Sequence, residues 1–101
     1  MIACLPAGAR RLEQTSVFTE ATLPEPLKRP HAPARGAWQL VQILEGRLRW
    51  RLDDPLRLSR STILTPKTGA RAIAPGELHH FELLGPMTLR LEEYLIDGGR
   101  R

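Results

Sequence analysis

The chain has one cysteine, two lysines, five aromatic residues and no long apolar run. Cys4 alone cannot close an internal disulfide, and beside a chain end it reads as a small hydrophobe, not a nucleophile. A membrane-spanning helix needs about 20 predominantly apolar residues, and no stretch approaches that. The first residues, MIACLPAGARR, place their arginines after the apolar residues and a proline among them, the reverse of a secretory leader; a cytoplasmic protein is expected. No stretch carries the apolar period of an amphipathic helix. A phosphate-binding glycine-rich loop and a nucleophile–base pair are both missing, which removes support for phosphoryl transfer and hydrolysis. With aromatics so few, the stacking residues that single-strand nucleic-acid binders interleave with basic ones are lacking too.

What is present is arginine: 13 of the 15 basic residues, with Lys28 and Lys67 the remainder, giving a net charge of +4 and a pI near 10.2. The arginines run from Arg10 to Arg101 without clustering, as a coding bias towards arginine would distribute them, so the basic balance is a weak argument for nucleic acid. A chain of 101 residues makes one domain with one core. Its apolar content of 42% and charged content of 26% are ordinary for a globular protein.

The periodicity is two, and turn signals recur every 8–12 residues, as in an all-β sandwich or barrel. In GRLRWRLDDP, Leu48, Trp50 and Leu52 alternate with Arg47, Arg49 and Arg51, so one face is apolar and the other charged. AWQLVQILEG precedes it as a second apolar strand, with Glu45-Gly46 expected as the tight turn of a hairpin. SVFTE (16–20), the segment around 56–64, ARAIAP, HHFELL and MTLRLEEYLI are further strands. Gly85-Pro86 is expected to separate the last two, and Thr65–Gly69 to form another turn. Residues 24–36, with four prolines, read as an extended connection. Trp38 and Trp50 are expected in the core. The sum is a single antiparallel β-barrel of about eight short strands over residues 1–101, with 1–14 and 96–101 at its periphery.

Two stretches together resemble a known family. In TSVFTEATLPEPLKRPHAPARGAW, the positions of Val17-Phe18, Pro24, Arg29, His31 and Trp38 are similar to the opening of the small cupin-like family named after the N-terminal domain of tellurite-resistance protein B. LVQILEGRLRWRL, APGELHHFELLGP and LRLEEYL resemble that family's Leu-Glu-Gly segment, its proline-rich turn before a histidine, its Leu-Gly-Pro turn and its closing strand with an internal glutamate. The resemblance implies a cupin-like double-stranded β-helix, an antiparallel jelly-roll barrel, and a role linked to tellurite or oxidative stress. The namesake also carries a methyltransferase domain; the 101 residues end before one could begin, and methyl transfer is not expected of them.

Metal-binding cupins gather three or four N/O ligands from neighbouring strands and leave a coordination position open. Counted back from Gly46 by general cupin spacing, the first three ligand positions hold Pro33, Arg35 and Gln39, none a usual ligand. His31 instead matches the family's own histidine. The family register pairs it with His79, whereas general cupin spacing from Pro75 selects His80. Glu82 lies three residues from His79, an odd separation that puts it on the face of His80. Glu92 shares a face with Thr88, Arg90 and Tyr94 and is the expected inward carboxylate. The resulting site is His31, His79 and Glu92, with His80 and Glu82 as alternates, holding a divalent zinc, iron, nickel or manganese ion, and Arg35, Arg90 and Tyr94 as ligand- or anion-binding residues. A small-molecule ligand and a homodimer are the expected partners. If a reaction follows, metal-assisted oxidation or isomerisation fits these residues. The competing reading makes Arg47, Arg49 and Arg51 an anion- or nucleic-acid-binding face without catalysis.

Overall fold

The computed structural model describes Leu5 and residues 8–53 and 60–96, with side chains at 12–14 and 96 excepted. Five antiparallel strands form one curled sheet: β1 (Ala9–Thr19), β2 (Ala37–Leu52), β3 (Arg60–Leu64), β4 (Arg71–Ile73) and β5 (His79–Ile96). The order is β1-β5-β2-β3, and β4 also pairs with β2. Two short 3-10 turns, Glu25–Lys28 and Pro66–Thr68, are the only helical segments among the described residues. No helix among them is long and apolar enough to cross a membrane.

The backbone of the domain is the β2–β5 ladder, which runs from Ala37 opposite Leu95 to Leu52 opposite His79. Glu45-Gly46 is therefore not a hairpin turn, and Gly85-Pro86 does not separate two strands. Both lie within continuous strands, at register shifts between Ile43 and Glu45 and between Gly46 and Leu48. Such bulges bend a strand without reversing it. Among the described residues, five strands, two of them long and bent, thus stand where about eight short ones were expected.

The bulge also explains the alternation of β2. Before it, Gln39, Val41 and Ile43 are buried; after it, Leu48, Trp50 and Leu52 are. The buried positions change parity across residues 44–47, so both halves turn their apolar side to the concave face. There they meet Phe81, Met87 and Leu89 of β5, Ile73 of β4 and Leu64 of β3, with Leu23 closing one side. Each large side chain so buried contributes about 1.5–3 kcal/mol. Arg47 is exposed and Arg49 and Arg51 half-buried on the convex face, as the alternation implies. Trp38 is the exception to the expected core: it precedes the bulge, lies out of phase with Val41, and is half-buried opposite Tyr94.

β1 adds to the far edge of β5, its two paired stretches separated by a register shift between Arg11 and Thr15. Residues 9–14, expected at the periphery, begin this edge strand. Residues 1–4, 6, 7 and 97–101, with Cys4 among them, and the turn and strand start expected at 54–59 lie outside the described residues. Thr65–Thr68 closes as a capping box: the Thr65 hydroxyl accepts from Lys67 N at 3.2 Å, and the Thr68 hydroxyl from Thr65 N at 3.1 Å.

At Gly46, β2 passes close against the backbone of β5. Its φ is +77°, and a Cβ there would lie 2.3 Å from the Pro86 carbonyl oxygen and 2.9 Å from Met87 Cα, both backbone atoms. Gly36 has the same φ with nothing within 4 Å of a Cβ. Gly36→Ala is expected to cost about 1 kcal/mol for the left-handed backbone alone. Gly46→Ala adds overpacking and should cost about 3 kcal/mol. Urea denaturation of the two variants checks this; equal losses would contradict the close approach.

Candidate metal and ligand site

The proline-rich connection does not stay outside the barrel. Pro30 restricts Arg29 to extended backbone (φ −122°, ψ 158°), and the chain then lays His31 against the start of β5. His31 N donates to the His79 carbonyl at 2.9 Å, and His79 N returns a bond to the His31 carbonyl at 2.8 Å. Gly76 N donating to the Pro33 carbonyl at 3.1 Å fastens the next turn of the connection. This reciprocal bridge brings the two histidines side by side, with ring centroids 4.2 Å apart and planes tilted by 52°.

Both rings are oriented in the same manner. His31 Nδ1 donates to the Arg29 carbonyl at 2.9 Å, and His79 Nδ1 to the Glu77 carbonyl at 2.7 Å. A carbonyl only accepts, so each Nδ1 carries a proton, and a ring in that neutral tautomer has its lone pair on Nε2. Both Nε2 atoms are buried and without a hydrogen-bond partner. His79 is 0% exposed. Burial pushes its pKa down to about 4, with the Glu77 carbonyl opposing and the neighbouring His31 reinforcing the shift. The ring is therefore neutral at pH 7.

Aromatic residues wall the pair. Phe81 packs edge-on to both rings, 5.5 Å from His79 and 6.2 Å from His31, and Trp50 stacks on His79 at 6.3 Å and 27°. The Arg71 guanidinium lies over the Trp50 ring, 4.1 Å from its centroid. Arg71 and Trp50 were not among the expected site residues. The signal for Arg71 was its phase, two residues from Ile73 in a short strand and so on the same, concave side.

Glu92 lies elsewhere. Leu89 and Leu91 take the concave face of β5, leaving Thr88, Arg90, Glu92 and Tyr94 on the convex one. Alternation separates the two rows but does not say which is inward; the apolar row completes the core and wins. Glu92 is 8% exposed because its neighbours cover it. Arg11 Nη1 donates to Oε2 at 3.0 Å, Tyr94 Oη donates to Oε1 at 3.0 Å, and Arg90 Nε stands 3.8 Å away. Burial and the bond to Glu92 raise the Tyr94 pKa. Arg90 is further engaged by Gln42 Oε1 at 2.7 Å. These residues form a structural cluster away from the histidine pair.

His80 and Glu82 also face outward. His80 Nδ1 donates to Asp53 Oδ2 at 2.7 Å, and its Nε2 lies 3.4 Å from Glu82 Oε2. Glu82 in turn pairs with Arg49 at 3.8 Å and Arg51 at 3.5 Å. The arginine row is thus partly neutralised by the strand beside it. Arg35 is exposed in the turn before β2. Among the described residues no group of three or more His, Cys, Asp or Glu side chains is placed to hold a metal ion, so the histidine pair supplies two donors and no third. A separate cavity of about 450 Å³ opens on the bulge, lined by Thr19, Glu20, Glu45, Gly46, Pro86, Met87 and Thr88. Its Glu20 carboxylate is engaged by the Met87 N–H at 3.0 Å, a bond that lowers the Glu20 pKa.

The buried imidazole leaves a pH signature. An unfolded chain protonates His79 at its ordinary pKa of 6.5, the folded one only near 4. Between those values the unfolded state binds the extra proton, so stability is full above pH 6.5 and falls as pH drops towards 4, by about 3 kcal/mol in all. Urea midpoints in EDTA should decline over this window in the wild type and less steeply in His79→Phe. Parallel profiles would contradict the assignment.

Residues 13–91 match the family model of the TehB-like domain. The fold is similar to that of TehB from Haemophilus influenzae, with a TM-score of 0.74 and 21% identity over 86% of this chain and 30% of that one. This chain thus spans less than two thirds of that protein's length. It is also similar to a protein from Escherichia coli strain K12 (TM-score 0.78, 11% identity, 93% of this chain and 97% of that one). A third similarity is to dTDP-4-dehydrorhamnose 3,5-epimerase from Bacillus anthracis strain Ames, solved with TDP and PPi bound (TM-score 0.57, 17% identity, 87% and 54%). At these identities the likenesses establish the fold, an all-β cupin jelly roll. No curated protein sequence matches the chain. The family match covers well over half of the chain, and the chain belongs to the TehB-like domain family.

Proposed function

We propose that this domain binds a small ligand at the mouth of the barrel through the His31–His79 pair, and that the ligand includes a divalent metal ion. One observation carries the reading: on two adjacent imidazole rings, with centroids 4.2 Å apart, both Nε2 atoms are buried without a partner while each Nδ1 bonds a backbone carbonyl. Metal-ligating histidines almost always donate their other ring nitrogen in this way. Buried polar atoms are rarely left unmatched in a native fold, and two adjacent acceptors without a donor fit a cation.

Imidazole suits zinc, iron and nickel. Two protein donors leave most of the coordination sphere to water or an added molecule, so the pair fits a binding site more readily than a closed structural one. A bound ion would supply Lewis-acid polarisation of whatever shares that sphere. The chain's own residues hold the rings in the ligating tautomer and exclude water with Phe81 and Trp50. Glu92 has no part in this reading, because Arg11, Tyr94 and Arg90 hold it on the opposite face. The arginine face is the weaker candidate for an anion or nucleic acid, since Glu82 already pairs with Arg49 and Arg51.

Titration of tag-free protein with Zn²⁺ or Co²⁺ by calorimetry, with elemental analysis of the product, tests the reading. One equivalent is expected in the wild type. His31→Ala and His79→Phe should each weaken binding by more than about tenfold, the minimum that loss of even a supporting hydrogen bond to a ligand produces. Glu92→Gln should bind as the wild type does. Absence of saturable binding, or binding indifferent to both histidines, would overturn it.

A further inference from the structure

The wall of the histidine site carries a second set of unmatched groups, of the opposite kind. Trp50 is 1% exposed and its Nε1–H has no acceptor. Arg71 Nε is likewise buried without a partner. Arg11, Arg49, Arg51 and Arg90 each stand near a carboxylate, whereas Arg71 meets the face of an indole and no carboxylate among the described residues. It reaches this position because its Cα lies opposite Val41, on the concave side of the sheet.

A guanidinium stacked on an aromatic ring, with its Nε buried and no carboxylate paired with it, is a donor set awaiting an acceptor. Desolvation strengthens such donors towards a charged oxygen. Trp50 is shared: one indole touches both sets, stacking on the His79 ring and carrying the Arg71 guanidinium over its face.

We propose that Trp50 and Arg71 form the anion-recognising half of the site, so that the small molecule it takes is an oxyanion, with a carboxylate as the best-fitting group. A carboxylate presents two oxygens in a plane, which matches the planar fork of a guanidinium. The location of the ligand's other end rests on the histidine reading above; the anion half is tested without it. The inference differs from the arginine-face reading in residue and place, since Arg71 lies on the concave side and Arg47, Arg49 and Arg51 on the convex one.

The experiment is an NMR titration of ¹⁵N-labelled, metal-free full chain at constant ionic strength, following the Trp50 indole N–H (assigned with Trp50→Phe) and the Arg71 Nε–H. The probes are oxalate, malonate, succinate and inorganic phosphate, with chloride as control. At least one dicarboxylate or phosphate is expected to shift both resonances saturably, chloride to leave them in place, and Arg71→Gln to abolish the indole shift while the fold, read from the remaining amide spectrum, is unchanged. Arg71→Lys should retain a weakened response. No saturable shift, a response equal to chloride, or an unaltered response in Arg71→Gln would overturn the proposal. Repeating the titration with Co²⁺ separates the two readings. An anion response with no Co²⁺ absorption spectrum keeps the anion half and removes the metal. Co²⁺ binding without any anion response removes the anion half alone.

Discussion

The β2–β5 ladder is the constraint on which the domain depends. Its two strands span nearly the whole height of the sheet, and every other strand pairs with one of them. A ladder of that length bends only by breaking its register, and the break falls where Gly46 lets β2 pass directly against the Pro86 carbonyl. The parity change across residues 44–47 then lets Val41 and Ile43 on one half and Leu48, Trp50 and Leu52 on the other share a single core. Curvature and core are two consequences of the same local device.

The site follows from where that ladder ends. Leu52 lies opposite His79 at the last rung, and the connection returns there to pair His31 with His79. Backbone bonding on both sides of the bridge fixes the rings, and a carbonyl two residues upstream of each fixes the tautomer. Of the unmatched buried atoms at this level, Trp50 Nε1 and Arg71 Nε are donors, so the two Nε2 atoms stand out as the acceptors. Burial that keeps His79 neutral and the bonds that orient it act together: an imidazolium would have no lone pair to offer.

Much of the architecture could be read from periodicity. Leu48, Trp50 and Leu52 against Arg47, Arg49 and Arg51 give the correct inward and outward faces, and the choice of His79 over His80 agrees with the phase of Phe81. A glycine with an interrupted alternation, however, marks a bulge as well as a turn, and only pairing with a distant strand distinguishes them; hence the expected hairpin at Glu45-Gly46. Glu92 shows a second limit. A polar row and an apolar row alternate on β5, and which one faces inward depends on what the opposite strands present. Arg71 shows a third: a strand of three residues has a single in-phase neighbour, Ile73, too little pattern to single the arginine out. The folding back of residues 29–33 is tertiary and left no local trace beyond its prolines.

The central claim is the protonation state of two rings, and a long-range ¹H–¹⁵N correlation spectrum of the histidine side chains at neutral pH reads it directly. The account predicts that both rings carry a proton on Nδ1 and none on Nε2. An Nε2–H tautomer or an imidazolium at either residue would mean that the lone pairs do not exist, and that the pair is a packed structural contact instead of a binding site.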